Sequence, residues 1–166
     1  MLKSKDEIKD WLDIYKGDIV DYQINDDLTV SAKSVHLLHL DLDYIPVKFY
    51  EVENEFHVTG NNLSKQNLDF LPRKAWYMNM PNNRITSLAT LPSDIHLNKL
   101  LDHLIVFTRN PIVELSSDLE SRVFGGSYRN DSGHRIVICG EPTSVSIDCD
   151  RFSEIERNIK LKQLTD

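Results

Sequence analysis

Long apolar runs are missing from this chain, and so are most signatures that announce chemistry. No apolar stretch is long enough to cross a bilayer, and the opening MLKSKDEIKDW is charged without an apolar centre. The sequence therefore predicts neither a membrane span nor a secretory leader. Among 166 residues there are only two cysteines, Cys139 and Cys149, with no zinc-type spacing, and in a chain without a leader they are expected to be reduced thiols. Glycine is scarce as well. The pair Gly125-Gly126 lacks the following lysine of a phosphate loop and reads as a turn, and no G-x-S-x-G elbow occurs. Ser132 and His134 are neighbours in sequence only, which does not make a nucleophile and a base. No constellation supports catalysis, and neither a cofactor nor a metal is expected.

What is present begins with an asymmetry of charge. Residues 1–55 hold 13 acids and 6 bases, whereas residues 56–166 hold 13 of each, so the whole excess of −7 lies in the N-terminal third. An acidic surface argues against direct nucleic-acid binding and permits attraction to a basic protein surface, although a solvated face with no partner is the commoner explanation.

The second positive feature is a repeat. Phe56-His-Val58-Thr-Gly-Asn61-Asn-Leu63 aligns without a gap on Met78-Asn-Met80-Pro-Asn-Asn83-Arg-Ile85 and on Ile105-Val-Phe107-Thr-Arg-Asn110-Pro-Ile112. A fourth copy starts at Val35, with Leu40 where the others have asparagine. The starts at Val35, Phe56, Met78 and Ile105 are 21, 22 and 27 residues apart, in the range of leucine-rich repeats. Two apolar residues separated by one make a short strand with one inward face. The asparagine then satisfies backbone groups left open where the strand ends. Pro46, Pro72 and Pro92 each follow an aliphatic and favour an extended return without helix.

Before the repeat, Ser4-Lys-Asp-Glu7 followed by Ile8, Trp11, Leu12 and Tyr15 predicts an amphipathic helix stopped at Gly17. Tyr22–Ile24 and Leu28–Val30 around Asn25-Asp26-Asp27 predict a small hairpin. After Leu115 the repeat fades. Val123-Phe124, Ile136–Ile138 and Val145–Ile147 still read as strands, and Ser153-Glu-Ile-Glu156 opens a charged C-terminal helix reaching Leu164. The expected architecture is α/β: one domain over 1–166, a short irregular leucine-rich-repeat solenoid with a parallel β-sheet. Residues 1–33 form a capping helix and hairpin, 34–115 four coils, and 116–166 irregular strands with a C-terminal capping helix. Such caps keep the open ends of the core from water.

From Ile24 to Ile112 the chain resembles the leucine-rich-repeat proteins of large tailed phages of enterobacteria. The resemblance rests on the Trp11-Leu12 pair ending a helix, on Ile24-Asn-Asp-Asp-Leu28-Thr-Val30, on the first coil from Val35 to Pro46, on Val47-Lys-Phe49, and on Thr86-Ser-Leu88. It implies a small accessory protein acting in the host cytoplasm that binds and inhibits or redirects a host protein, such as an ATP-dependent protease, RNA polymerase or a defence effector. No membrane or direct nucleic-acid partner is expected, and the protein alone is expected to be a monomer.

The register of the repeat assigns the outward side chains of the expected sheet: Ser34, His36, Glu55, His57, Thr59, Tyr77, Asn79, Leu104, Val106 and Thr108. These are the candidate protein-binding residues, with Tyr77 as the leading anchor. Trp76 is read as either core or rim. His36 and His57 share a register on adjacent coils, where Glu55 is a possible third ligand, but histidines on such a face more often supply contact area. Two alternatives remain open: an acidic mimic of nucleic acid built on residues 5–55, and a small enzyme with its site in residues 116–166. Glu51, Glu53 and Glu55 are expected to alternate on one side of an extended piece.

Overall fold

The computed structural model describes residues 1–63, 68–91, 96–97, 105–112, 127–129 and 135–137. It is α/β, with one α-helix among the described residues and an open mixed sheet. The helix, α1 (Lys5–Ile14), begins where the sequence places its cap. Ser4 Oγ accepts from the Glu7 N–H at 3.2 Å, and the Glu7 carboxylate accepts from the Lys3 N–H at 2.7 Å. Ile8 and Leu12 are fully buried and Trp11 stacks at a tilt on Tyr15. Burying the two aliphatics stabilises this end of the core by about 1.5–3 kcal/mol each.

Strands β1 (Ile19–Val20), β2 (Gln23–Ile24), β3 (Thr29–Ala32) and β4 (Ser34–Leu38) follow. β2 and β3 form the expected antiparallel hairpin, with Leu28 at φ +64° and Thr29 held by the Asp27 carboxylate through both its N–H and its hydroxyl. The parallel sheet begins earlier than the sequence reading placed it. β5 (Lys48–Thr59) runs beside both β3 and β4 in turn, so residues assigned wholly to a cap already contribute a sheet strand.

β5 is irregular at two places along its length. Its buried side chains are Phe49, Val52, Phe56 and Val58, so the inward side changes parity once, between Phe49 and Val52. Val30 and Ser31 stand opposite Phe49 and Glu51, and Ala75 and Tyr77 of β6 (Lys74–Asn79) stand opposite Val52 and Glu55. One extra residue is thus accommodated at each irregularity, and every bulge re-aims the side chains that follow. Glu51, Glu53 and Glu55 keep the outward parity around buried Val52 and Phe56, as expected, with the second irregularity falling between Val52 and Glu55.

β7 (His96–Leu97) and β8 (Ile105–Val106) both lie parallel to β6. Ala75 is opposite Leu97, 22 residues further on, while Met78 is opposite Ile105, 27 further on. The long third spacing is thereby localised: its surplus falls between β7 and β8 and leaves the strand register intact. Beyond β8 the sheet continues to β10 (Arg135–Val137), parallel to β8, which in turn pairs antiparallel with β9 (Ser127–Arg129). The strand expected at Ile136–Ile138 is present as β10, and β9 opens at Ser127, where no strand was expected. The strands expected at 123–124 and 145–147, the C-terminal helix at 153–164 and Pro92 lie outside the described residues.

The asparagines explain how successive strand ends are joined. Asn61, Asn83 and Asn110 are only 3–4% exposed. Each donates from Nδ2 to a carbonyl one strand back, at Leu37 (2.9 Å), Val58 (2.6 Å) and Met80 (2.8 Å) respectively. Each Oδ1 accepts backbone N–H groups from the preceding turn: Leu40 and Leu42 on Asn61, Asn61 on Asn83, and Ile85 on Asn110. The residue before each, Gly60, Asn82 or Arg109, has positive φ, and so has His39 before Leu40. Leu40 has no similar turn on its other side, because its neighbour β1 is antiparallel. The core lies behind this ladder and runs continuously from Ile8 to Ile112, with Phe56 against Phe49 and Phe70 at its middle.

Candidate functional site

The face of the sheet opposite the core carries the candidate residues. In β4 the pattern is Val35 and Leu37 buried with Ser34 and His36 half-buried; in β5 it is Phe56 and Val58 buried with Glu55, His57 and Thr59 half-buried. Met78 is buried between half-buried Tyr77 and Asn79, and Phe107 between half-buried Val106 and Thr108. The period of two follows from the pleat, which sends successive side chains to opposite faces. His36 stands opposite His57, His57 opposite Asn79, and Asn79 opposite Val106, forming one row across four strands. Glu55 stands opposite Tyr77. Nine of the ten candidates are thus brought to one face as expected, and Leu104 lies outside the described residues.

At the centre of the row three side chains converge. Glu55 Oε2 is 3.5 Å from His36 Nε2 and 3.9 Å from His57 Nε2. The imidazole rings are 5.5 Å apart, and the Tyr77 ring meets His57 edge-on at 5.4 Å. Both distances from Glu55 exceed a normal hydrogen bond. Although 41% of the His36 side chain and 25% of the His57 side chain are exposed, both Nε2 atoms are closed to solvent and have no hydrogen-bond partner. Burial holds His57 below the ordinary imidazole value of 6.5; Glu55 opposes this and His36 reinforces it. Burial, then Glu55, pushes the Tyr77 hydroxyl upward. Neutral His57 keeps an available lone pair at neutral pH, so its approach to Glu55 is not a formed ion pair.

Sequence reasoning left out Leu38, Tyr50 and, in part, Trp76. These are 43%, 41% and 38% exposed. Leu38 pairs with Thr59 and follows His36 by two positions, so extending the outward count by one step finds it. Tyr50 is the extra residue at the first β5 irregularity, and Lys74 lies over its ring at 5.2 Å. No periodic pattern could have placed it. Trp76, left between core and rim, is on the rim.

The acidic N-terminal surface is interleaved with bases. Lys5 pairs with Asp26 at 2.8 Å, Lys33 with Asp21 at 3.7 Å, and Lys9 with Asp13. Among the described residues no helix is long and apolar enough to cross a membrane. Comparisons of the chain with protein-family models, with curated proteins and with solved structures give no match.

Proposed function

We propose that the protein is a non-enzymatic interaction module, a short irregular leucine-rich-repeat solenoid that binds a host protein through its outward sheet face and inhibits or redirects it. The observation that carries this reading is the half-buried row His36–His57–Asn79–Val106 with Tyr77 and the exposed apolar Leu38 and Trp76 on the same strands. Aromatic side chains on a rigid, half-buried surface give contact area at little entropic cost, the composition enriched at binding hot spots. The solenoid reading draws support from the recurring asparagine bonds and from the positive φ that precedes each. The phage-type host-cytoplasmic role rests on the sequence resemblance alone. The acidic-mimic alternative loses support because several of its carboxylates are paired with lysines. The enzyme alternative concerns residues 116–166, of which only β9 and β10 are described.

Tyr77→Ala tests the reading. The variant should unfold at nearly the same denaturant concentration as the parent and bind the host protein recovered with the parent about 1–3 kcal/mol more weakly. Unaltered affinity in the folded variant would remove Tyr77 from the interface. Affinity that collapses between low and physiological salt would instead favour the acidic surface.

A further inference from the structure

We propose that His36, Glu55 and His57 form a binding site for a divalent transition-metal ion of the zinc class. Three donor atoms, one from each residue, lie within 4.8 Å of one another. Tetrahedral zinc with bonds of about 2.0–2.2 Å to imidazole nitrogen and carboxylate oxygen separates neighbouring donors by about 3.3–3.5 Å. The observed 3.5 and 3.9 Å between Glu55 Oε2 and the two Nε2 atoms are too long for hydrogen bonds and close to that tetrahedral edge. Small side-chain rotations close the remainder.

The fold supplies this arrangement without loops. His36 and His57 are register partners on adjacent parallel strands, which hold their backbones about 4.8 Å apart. Glu55 precedes His57 by two residues, so it emerges on the same face, and its length lets the carboxylate reach both rings. A ligand set built on paired strands is held more rigidly than one on loops.

The two Nε2 atoms point to the chemistry of the ligand. An Nε2 closed to water and without a hydrogen bond costs free energy. Here two such atoms face the same carboxylate oxygen. A cation placed among them satisfies all three lone pairs. Two imidazoles and one carboxylate select zinc, cobalt or nickel over magnesium and calcium, which require oxygen ligands. Three protein donors leave one tetrahedral position for water or for a side chain of another molecule. The inference requires no bound partner, so it stands or falls separately from the interaction reading.

The full-length chain, stripped with a chelator and dialysed, should bind one equivalent of Co²⁺ with a ligand-field absorption spectrum lacking thiolate charge transfer. Zn²⁺ should displace the cobalt and raise the melting temperature, and Mg²⁺ should do neither. His36→Ala and His57→Ala should each weaken Zn²⁺ binding by an order of magnitude or more. Glu55→Gln keeps the shape of the half-exposed side chain and should weaken binding in the same direction, with an unchanged metal-free circular dichroism spectrum. Absence of saturable binding by the parent would overturn the proposal. So would one-equivalent binding that survives in folded Glu55→Gln and in both histidine variants, or a spectrum with thiolate charge transfer, which would move the ion to Cys139 or Cys149.

Discussion

Two polar clusters, one at the strand ends and one on the front face of the strands, are solved in opposite ways. At the strand ends, Asn61, Asn83 and Asn110 are buried, yet each side chain both donates and accepts, linking one turn to the next. In front, His36 and His57 are less buried, yet their Nε2 atoms have no hydrogen-bond partner. Buried polar groups are ordinarily bonded because leaving them open is costly. A fully satisfied cluster therefore reads as architecture, and an unsatisfied one marks where binding has something left to complete.

Breaking the satisfied side should have the largest effect. Asn83→Ala removes the donor to Val58 and Met80 and the acceptor for Asn61, stranding several backbone groups. Urea unfolding should show a loss of about 1–3 kcal/mol with an unchanged slope. A neutral result would mean that the ladder is incidental to stability.

Gly60 tests the turn geometry that the ladder holds. Its φ is +67°, and an added Cβ would lie 2.2 Å from His39 Nδ1. Gly60→Ala should destabilise by about 1–2 kcal/mol, from left-handed strain and the clash together. Combining it with His39→Ala should recover the clash part and leave the strain, giving a measurable coupling in a double-mutant cycle. Strict additivity would show that the ring moves aside freely.

A gentler probe sharpens why the first turn differs. Leu40→Asn restores the side chain found in the other copies at a position with no turn behind it. It should lower stability by about 1 kcal/mol through lost apolar contact. A gain in stability would reveal backbone groups at that edge in need of a partner.

The smallest effect belongs to the front face. His57→Ala in metal-free protein should change stability by no more than about 0.5 kcal/mol, since no hydrogen bond is lost. A loss comparable to that of Asn83→Ala would make His57 structural and erase the contrast between the two sides.

The sequence by itself determined the capped helix, the hairpin, the inward and outward sides of β4 and of the end of β6 from Tyr77 to Asn79, and the burial of the three asparagines. Each follows from local chemistry: a capping serine, a turn-forming Asn-Asp-Asp, a period of two, and an amide side chain recurring after β5, β6 and β8. Tertiary structure alone decided where that period slips. The irregularities in β5 arise because one strand must match β3 and β4 on one side and β6 on the other, a constraint no local pattern records. It also decided that Glu55 reaches both histidines, for sequence spacing fixes which face a side chain leaves from, whereas its contact across strands depends on register between segments some twenty residues apart.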